Sequence, residues 1–95
     1  LLVVSTLAIF AMACSDGGSA SLIQANDAIA EHTHDDADEF VYIIAGEGSA
    51  HMGQRNEPLS AGVFMMIPRG TAHAFAVGKK HPLVFVSTLA GGHCS

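Results

Sequence analysis

Two histidines separated by a single residue, His32 and His34, constrain this chain more than any other feature of its sequence. In an extended strand, side chains two residues apart point to the same face, so the two imidazoles can reach one point in space. The Asp-rich residues 35–38 predict a chain reversal, which lets Glu39 begin a second strand that faces the histidines. The apolar and β-branched run after Glu39 ends at Gly46, a residue that tolerates positive φ. The pattern therefore predicts a metal site between two strands.

A second stretch, residues 62–73, completes the predicted site. It opens with Gly62, continues as an apolar strand, turns tightly at Pro68-Arg69-Gly70 and reaches His73. Two histidines and a glutamate leave a metal short of protein ligands, and His73 is the natural fourth.

Together, the two stretches resemble the two motifs of the cupin superfamily. The first family motif runs from a glycine through His-x-His and a glutamate to a glycine, and the second runs from a glycine through Pro-x-Gly to a histidine and an asparagine. This chain matches the motifs at His32, His34, Glu39 and Gly46, and at Gly62, Pro68, Gly70 and His73. Asn26 stands in place of the opening glycine and Val77 in place of the closing asparagine, and neither position is a metal ligand in the family. The resemblance covers about residues 26–88.

The resemblance implies an all-β fold, a small jelly-roll (cupin) barrel. It implies that a divalent transition metal is held by His32, His34, Glu39 and His73. Three neutral imidazoles and one carboxylate suit Fe, Mn, Ni, Co, Cu or Zn, with positions left for a small-molecule ligand. Two functions stay open: a metal-binding protein that holds a small molecule, and a metal-dependent enzyme, a dioxygenase or isomerase of a small oxygenated substrate. The sequence shows no evident catalytic acid or base beyond the ligands, so whether the chain is an enzyme stays open.

Short apolar runs separated by Gly, Pro, Asp or Asn also favour an all-β sandwich or barrel. After a short strand or partly helical lead-in at residues 22–25, the predicted strands are Ala28–His34, Glu39–Ala45, Ser49–Met52, Gln54–Leu59, Val63–Ile67, Ala72–Val77 and Leu83–Leu89. The length of 95 residues limits the chain to one domain.

Strand alternation sorts the side chains into an inner and an outer face. Counted from the ligands, the inner face is predicted to hold Glu39, Val41, Ile43, Ala50, Met52, Phe75 and Val77. The same count turns His51 outward. It also places Phe40, Tyr42 and Ile44 on the outer face, which a barrel of this size cannot cover by itself. A dimer, or a long N-terminal segment packed across the barrel, would cover this face, and we predict a homodimer.

The first thirteen residues, Leu1–Ala13, carry no charge and are too short to span a bilayer, but they fit the apolar region of a secretory signal that lacks its basic start. Small residues before Cys14 and a Ser/Gly-rich segment after it resemble a bacterial lipobox. We therefore predict a signal peptide at residues 1–13, lipidation of Cys14, a flexible tether at residues 14–21 and a cupin domain at residues 22–90. The protein would be exported, either anchored to a membrane by its lipid or present in the periplasm. Soluble release by an ordinary signal peptidase, and a core helix or strand at residues 1–13, are the alternatives.

The remaining features are at the C-terminus and among the charged residues. A disulfide between Cys14 and Cys94 is an alternative to lipidation, and the tail, residues 91–95, is expected to fray. Nine Asp and Glu outnumber four scattered Lys and Arg, which excludes nucleic acid as a partner. Asp35, Asp36 and Asp38 are interpreted as a solvated turn. Arg69 is either a solvated turn residue or a contact for an anionic substrate at the barrel mouth.

Overall fold

A computed structural model describes residues 7–91, and within them the chain forms nine strands and no helix. The strands are β1 (Leu7–Ser15), β2 (Gly18–Ala25), β3 (Ile29–His32), β4 (Ala37–Ala45), β5 (Gly48–Met52), β6 (Arg55–Leu59), β7 (Phe64–Ile67), β8 (His73–Val77) and β9 (Leu83–Gly91). No helix in this part of the chain is long and apolar enough to cross a membrane. The all-β prediction is confirmed.

The nine strands form two antiparallel sheets that pack face to face as a jelly roll. The first sheet has the order β1-β2-β9-β4-β7, and the second has the order β3-β8-β5-β6. Alternate residues of β4 and β9 point inward, so Val41, Ile43 and Phe85 are buried against Phe75 and Leu59 from the second sheet. This alternation follows from the two-residue period of a strand and places Glu39 on the inner face as well.

The strands predicted from residue 28 onward agree with β3 to β9 within two residues at each end. Glycine sets one of the boundaries. Gly46 follows β4 with a φ of +87°, and a Cβ there would lie 2.4 Å from the carbonyl oxygen of Pro82. Only glycine fits such a position, which explains the abrupt end of the apolar run.

The N-terminal region differs from the prediction of a flexible tether at residues 14–21. Those residues form the end of β1, the Asp16-Gly17 turn and the start of β2, and β2 pairs along its length with both β1 and β9. The backbone hydrogen bonds of a central strand fix this segment. Cys14 is exposed on β1 and is disulfide-bonded. The second cysteine of the sequence, Cys94, lies outside the described residues, as do residues 1–6 of the predicted signal peptide and most of the predicted tail.

The outer face of the five-stranded sheet carries a continuous row of apolar side chains. Cross-strand pairing aligns Phe10, Leu22, Val86, Tyr42 and Phe64, one from each strand. The row is most open at its end on β7, where 63% of Phe64 is exposed. Hydrophobic side chains thus cover both faces of this sheet.

Candidate metal centre

The four predicted ligands converge inside the mouth of the barrel. His32 ends β3, His34 follows it, Glu39 lies on β4 and His73 begins β8. One potential ligand atom from each residue lies within 4.8 Å of the others. The imidazole centroids of His32 and His73 are 4.2 Å apart, and the centroid of His34 lies 5.1 Å from that of His32. The sequence motif therefore brings three imidazoles and one carboxylate to a single point.

The turn at residues 68–70 positions the loop that carries His34. The backbone N–H of Gly70 donates to the carbonyl oxygen of His34 at 2.7 Å, and Gly70 has a φ of +79°. The backbone N–H of Arg69 donates to Oδ1 of Asp38 at 2.9 Å, and the guanidinium Nε lies 3.3 Å from the same oxygen. These two hydrogen bonds hold the pKa of Asp38 below its ordinary value. Asp38 is thus a strand residue paired with Arg69, and its assignment to a solvated turn is wrong.

Backbone carbonyls fix the tautomers of two of the histidines. Nδ1 of His32 lies 2.8 Å from the carbonyl oxygen of Ala30, and Nδ1 of His73 lies 2.9 Å from that of Thr71. A carbonyl oxygen can only accept, so each Nδ1 carries the hydrogen and donates it. In the neutral ring, the lone pair is then on Nε2, which is the arrangement that metal-binding histidines adopt.

Two buried acceptor atoms face each other at the centre of the cluster. Nε2 of His73 and Oε1 of Glu39 are 2.9 Å apart, and neither makes a hydrogen bond of acceptable geometry within the described residues. Only 1% of His73 and 4% of Glu39 is exposed. Two lone pairs at this distance repel each other unless a cation or a proton lies between them. The pair therefore fits a site for a bound metal ion.

Burial and mutual attraction act in opposite directions on the pKa values of this pair. Burial alone would raise the pKa of Glu39, but the facing side chains of His73 and Ser87 lower it below its ordinary value. Burial alone would lower the pKa of His73, but Glu39 and the Thr71 carbonyl raise it. Both shifts favour the charged forms, so the cluster favours a positive charge beside Glu39.

Ser87 on β9 is a member of the site that the sequence analysis missed. Its hydroxyl Oγ donates to Oε2 of Glu39 at 2.5 Å and is buried. Because this hydrogen bond occupies Oε2, Oε1 is the carboxylate oxygen that faces the histidines. Serine lies far from both motifs, and no spacing signal in the sequence marks it.

A cavity of about 350 Å³ lies beside the cluster. His32, His34, Glu39 and Ser87 line one side of it. The remaining wall is apolar apart from two serines of β2, and it is contributed by Leu7, Ile9, Ile23, Leu89, Phe85, Ile29 and Phe75. The ligand cluster therefore borders a mainly apolar cavity that is partly open to solvent on the β1 side, where Leu7 and Ile9 are exposed.

The other predicted site residues lie elsewhere. Of the predicted inner-face apolar residues, Phe75 lines the cavity, whereas Val41, Ile43, Ala50 and Met52 form the core below it and Val77 packs against that core. His51 is exposed as predicted, and its Nδ1 lies 3.4 Å from Oδ1 of Asn56. Arg69 pairs with Asp38 and does not line the cavity. Its contact with an anionic substrate stays a prediction. Lipidation of Cys14 also stays a prediction, and it requires a form of the protein without the disulfide at this cysteine.

The comparisons with known proteins agree with this architecture. A family model described as the cupin domain matches residues 21–89. No curated protein sequence matches the chain.

Several solved structures share the fold. KdgF from Halomonas sp. superposes with a TM-score of 0.85 at 15% identity, over 98% of this chain and 87% of that one. A conserved protein with a double-stranded β-helix domain from Klebsiella pneumoniae superposes with a TM-score of 0.85 at 20% identity, over 100% of this chain and 85% of that one. The DMSP lyase DddQ from Ruegeria pomeroyi gives 0.81 at 23% identity, over 90% of this chain and 47% of that one. At these identities, the likeness establishes the fold alone.

Proposed function

The chain belongs to the cupin domain family, and we propose its function from this membership. We infer that it binds one divalent transition metal at the cluster of three histidines and Glu39, and that it holds a small molecule in the adjoining cavity. The observation that carries this proposal is the buried pair of acceptors, Oε1 of Glu39 and Nε2 of His73, 2.9 Å apart. A bound metal ion would give both atoms a partner, and His32 and His34 would supply two more ligands.

The ligands, two backbone carbonyls and the cavity wall would have different roles at such a metal centre. His32, His34, Glu39 and His73 would hold the metal, which supplies Lewis-acid polarisation of an oxygen ligand when bound. The carbonyls of Ala30 and Thr71 keep the lone pairs of two imidazoles on Nε2. Glu39 and His73 are buried, and the apolar wall lowers the local polarity, so electrostatic interactions between the centre and its ligand would be stronger than in solvent.

Removal of one ligand tests the set, with an exposed histidine as the matched control. His73→Ala should reduce the bound metal to below about a tenth of an equivalent, because the cluster loses its most buried donor. His51→Ala should leave the metal content at the wild-type value, since His51 lies on the outer face of β5. Elemental analysis of the purified proteins measures both. Equal loss in the two variants would contradict the ligand assignment.

A metal-dependent enzyme is the second candidate, and the cavity favours it. A protein that only stores a metal needs no space beside it, whereas this cluster borders a cavity of about 350 Å³ with Ser87 in its wall. One fold neighbour, DddQ, is a DMSP lyase, which shows that a chain containing this fold can be an enzyme. Oxygen uptake with small diols and diketones, and isomerisation assays, would identify a dioxygenase or isomerase. Metal-loaded protein without turnover would favour the binding role.

We also propose that the protein is exported and functions in the periplasm or at a membrane surface. The support is the uncharged run at residues 1–13 and the small residues before Cys14. A lipid on Cys14 and a disulfide at Cys14 exclude each other, because both use the same sulfur. The intact mass of the protein from the membrane and periplasmic fractions distinguishes the two forms. A mass that still includes residues 1–13 would contradict processing.

A further inference from the structure

The charge and polarity of the cavity wall identify the class of molecule that it can hold. We propose that the cavity selects a small molecule with one singly charged, two-oxygen head group on an apolar body, and that it rejects doubly charged and polyhydroxylated molecules of the same size. This inference rests on the proposed metal site. The cavity volume of about 350 Å³ lies at the small end of the ~300–1,000 Å³ typical of ligand pockets, so the molecule has only a few carbon atoms.

The head group is set by the charge of the centre. A divalent metal and the Glu39 carboxylate together leave one positive charge, since the histidines bind as neutral rings. A single carboxylate would neutralise this charge, and its oxygens are ligands that a divalent transition metal accepts. Among the described residues, the cavity wall holds no second positive charge that would accept a second anion.

The lysines and arginines of the chain lie away from the cavity. All four Lys and Arg residues are within residues 7–91, and none lines the cavity wall. Arg55 pairs with Glu57, Arg69 with Asp38 and Lys80 with Glu47, whereas Lys79 is exposed in the β8–β9 loop. A second negative charge on the ligand would therefore lie against an apolar wall without a cationic partner, which disfavours its binding in the ionised form.

The body of the ligand meets an apolar wall with few polar groups. Ser21 on β2 lies directly opposite Ser87 on β9, and Ser19 lies two residues along the same strand. Within the described residues, the hydroxyls of Ser19 and Ser21 make no side-chain hydrogen bond. The two serine hydroxyls can bind one further oxygen of a ligand. A molecule with a hydroxyl on every carbon would leave most of its own hydroxyls without a hydrogen-bond partner.

Three acids that share a six-carbon chain test this selectivity directly. Hexanoate carries one carboxylate and adipate carries two. Gluconate carries one carboxylate, and each of its remaining carbons carries a hydroxyl. Calorimetric titration of the full-length, metal-loaded protein should give a Kd for hexanoate about tenfold or more below those of the other two. Adipate or gluconate binding as tightly as hexanoate would overturn the selectivity while the metal site stands. A protein without metal would overturn both proposals, and elemental analysis of each sample separates the two failures.

A charge placed in the wall provides a second test with a matched control. Ser21→Lys adds a cation at a half-buried wall position, so the ratio of the adipate Kd to the hexanoate Kd should fall about tenfold. Ser49→Lys adds the same charge on β5, between the exposed Ala76 and Pro58 and on the face away from the cavity. It should leave the ratio unchanged. An equal change in both variants, or none in Ser21→Lys with its metal retained, would overturn the proposal. If Ser21→Lys does not fold, the comparison of the three acids on the wild type decides alone.

Discussion

At the scale of single residues, the two carboxylate oxygens of Glu39 have different partners. Oε2 accepts the hydrogen bond from Ser87, and Oε1 faces Nε2 of His73. This division orients the carboxylate before any metal arrives. Groups that orient a ligand in this way typically change metal affinity by about 10- to 100-fold when they are removed. Ser87 is thus a positioning residue for the proposed metal centre.

Ser87→Ala should weaken metal binding by about tenfold or more, because the carboxylate loses the partner that fixes its orientation. Ser87→Thr keeps a hydroxyl and should restore most of the affinity. Competition with a chelator of known affinity measures the dissociation constants, and Ser49→Ala serves as a strand serine outside the site. Equal affinity for wild type and Ser87→Ala would show that the hydrogen bond has no positioning role.

The sequence predicts the four ligands but not the residues that orient them. The ligands lie within two short motifs, where strand alternation and turn residues place each side chain. The Ser87 hydroxyl reaches Glu39 from 48 positions away, through the pairing of β9 with β4. Serine is common on strands, and only the register of the sheet distinguishes this one.

At the scale of secondary-structure elements, turns and alternation make β3 to β9 predictable, whereas the N-terminal hairpin is not. The run Leu7–Ser15 lacks the alternation of a half-buried strand, because β1 lies at the edge of its sheet and nearly all of it is exposed. An apolar run of this length also matches a secretory signal. Local pattern alone therefore cannot identify β1 as a strand.

Gly46→Ala should lower the free energy of unfolding by about 3 kcal/mol, because the new Cβ combines an unfavourable positive φ with a clash against the Pro82 carbonyl. Gly53→Ala provides the comparison, since Gly53 also has a positive φ but nothing lies within 4 Å of its Cβ position. It should cost only about 1 kcal/mol. Urea unfolding measures both, and equal costs would contradict the role of close approach at Gly46.

A chain that begins at Cys14, as expected after signal cleavage, lacks most of β1. We predict that it still binds about one equivalent of metal, because the ligands lie on β3, β4 and β8 and in the loop after β3. The cavity loses the wall formed by Leu7 and Ile9, so hexanoate should bind more weakly than to the full chain. Metal analysis and calorimetry measure the two effects. Loss of the metal would show that β1 is required for the centre to form.

At the scale of the whole molecule, the five-stranded sheet presents an apolar row on its outer face that nothing in the described chain covers. Tyr42, Ile44, Phe64 and Met66 are all exposed there, and the ring of Phe64 stacks on that of Phe40. Water contact with such a patch is unfavourable, and a second copy of the chain could bury it. The homodimer predicted from the sequence would use this face.

Phe64→Glu should shift the dimer towards monomer, because it places a charge on the most exposed apolar side chain of the proposed interface. Ala76→Glu places the same charge on the exposed face of β8 in the other sheet and should leave the dimer intact. Light scattering at tens of micromolar measures the molar mass of each protein. A monodisperse wild-type monomer at that concentration would contradict the dimer.

The metal content of the protein purified from its own membrane or periplasmic fraction tests the central claim most directly. Elemental analysis should find about one equivalent of iron, manganese, nickel, cobalt, copper or zinc per chain, because the buried acceptors of Glu39 and His73 need a cation between them. Protein that contains no metal, and takes up none when each of these ions is added, would contradict the claim. The cluster would then be an imidazolium–carboxylate pair that shares a proton.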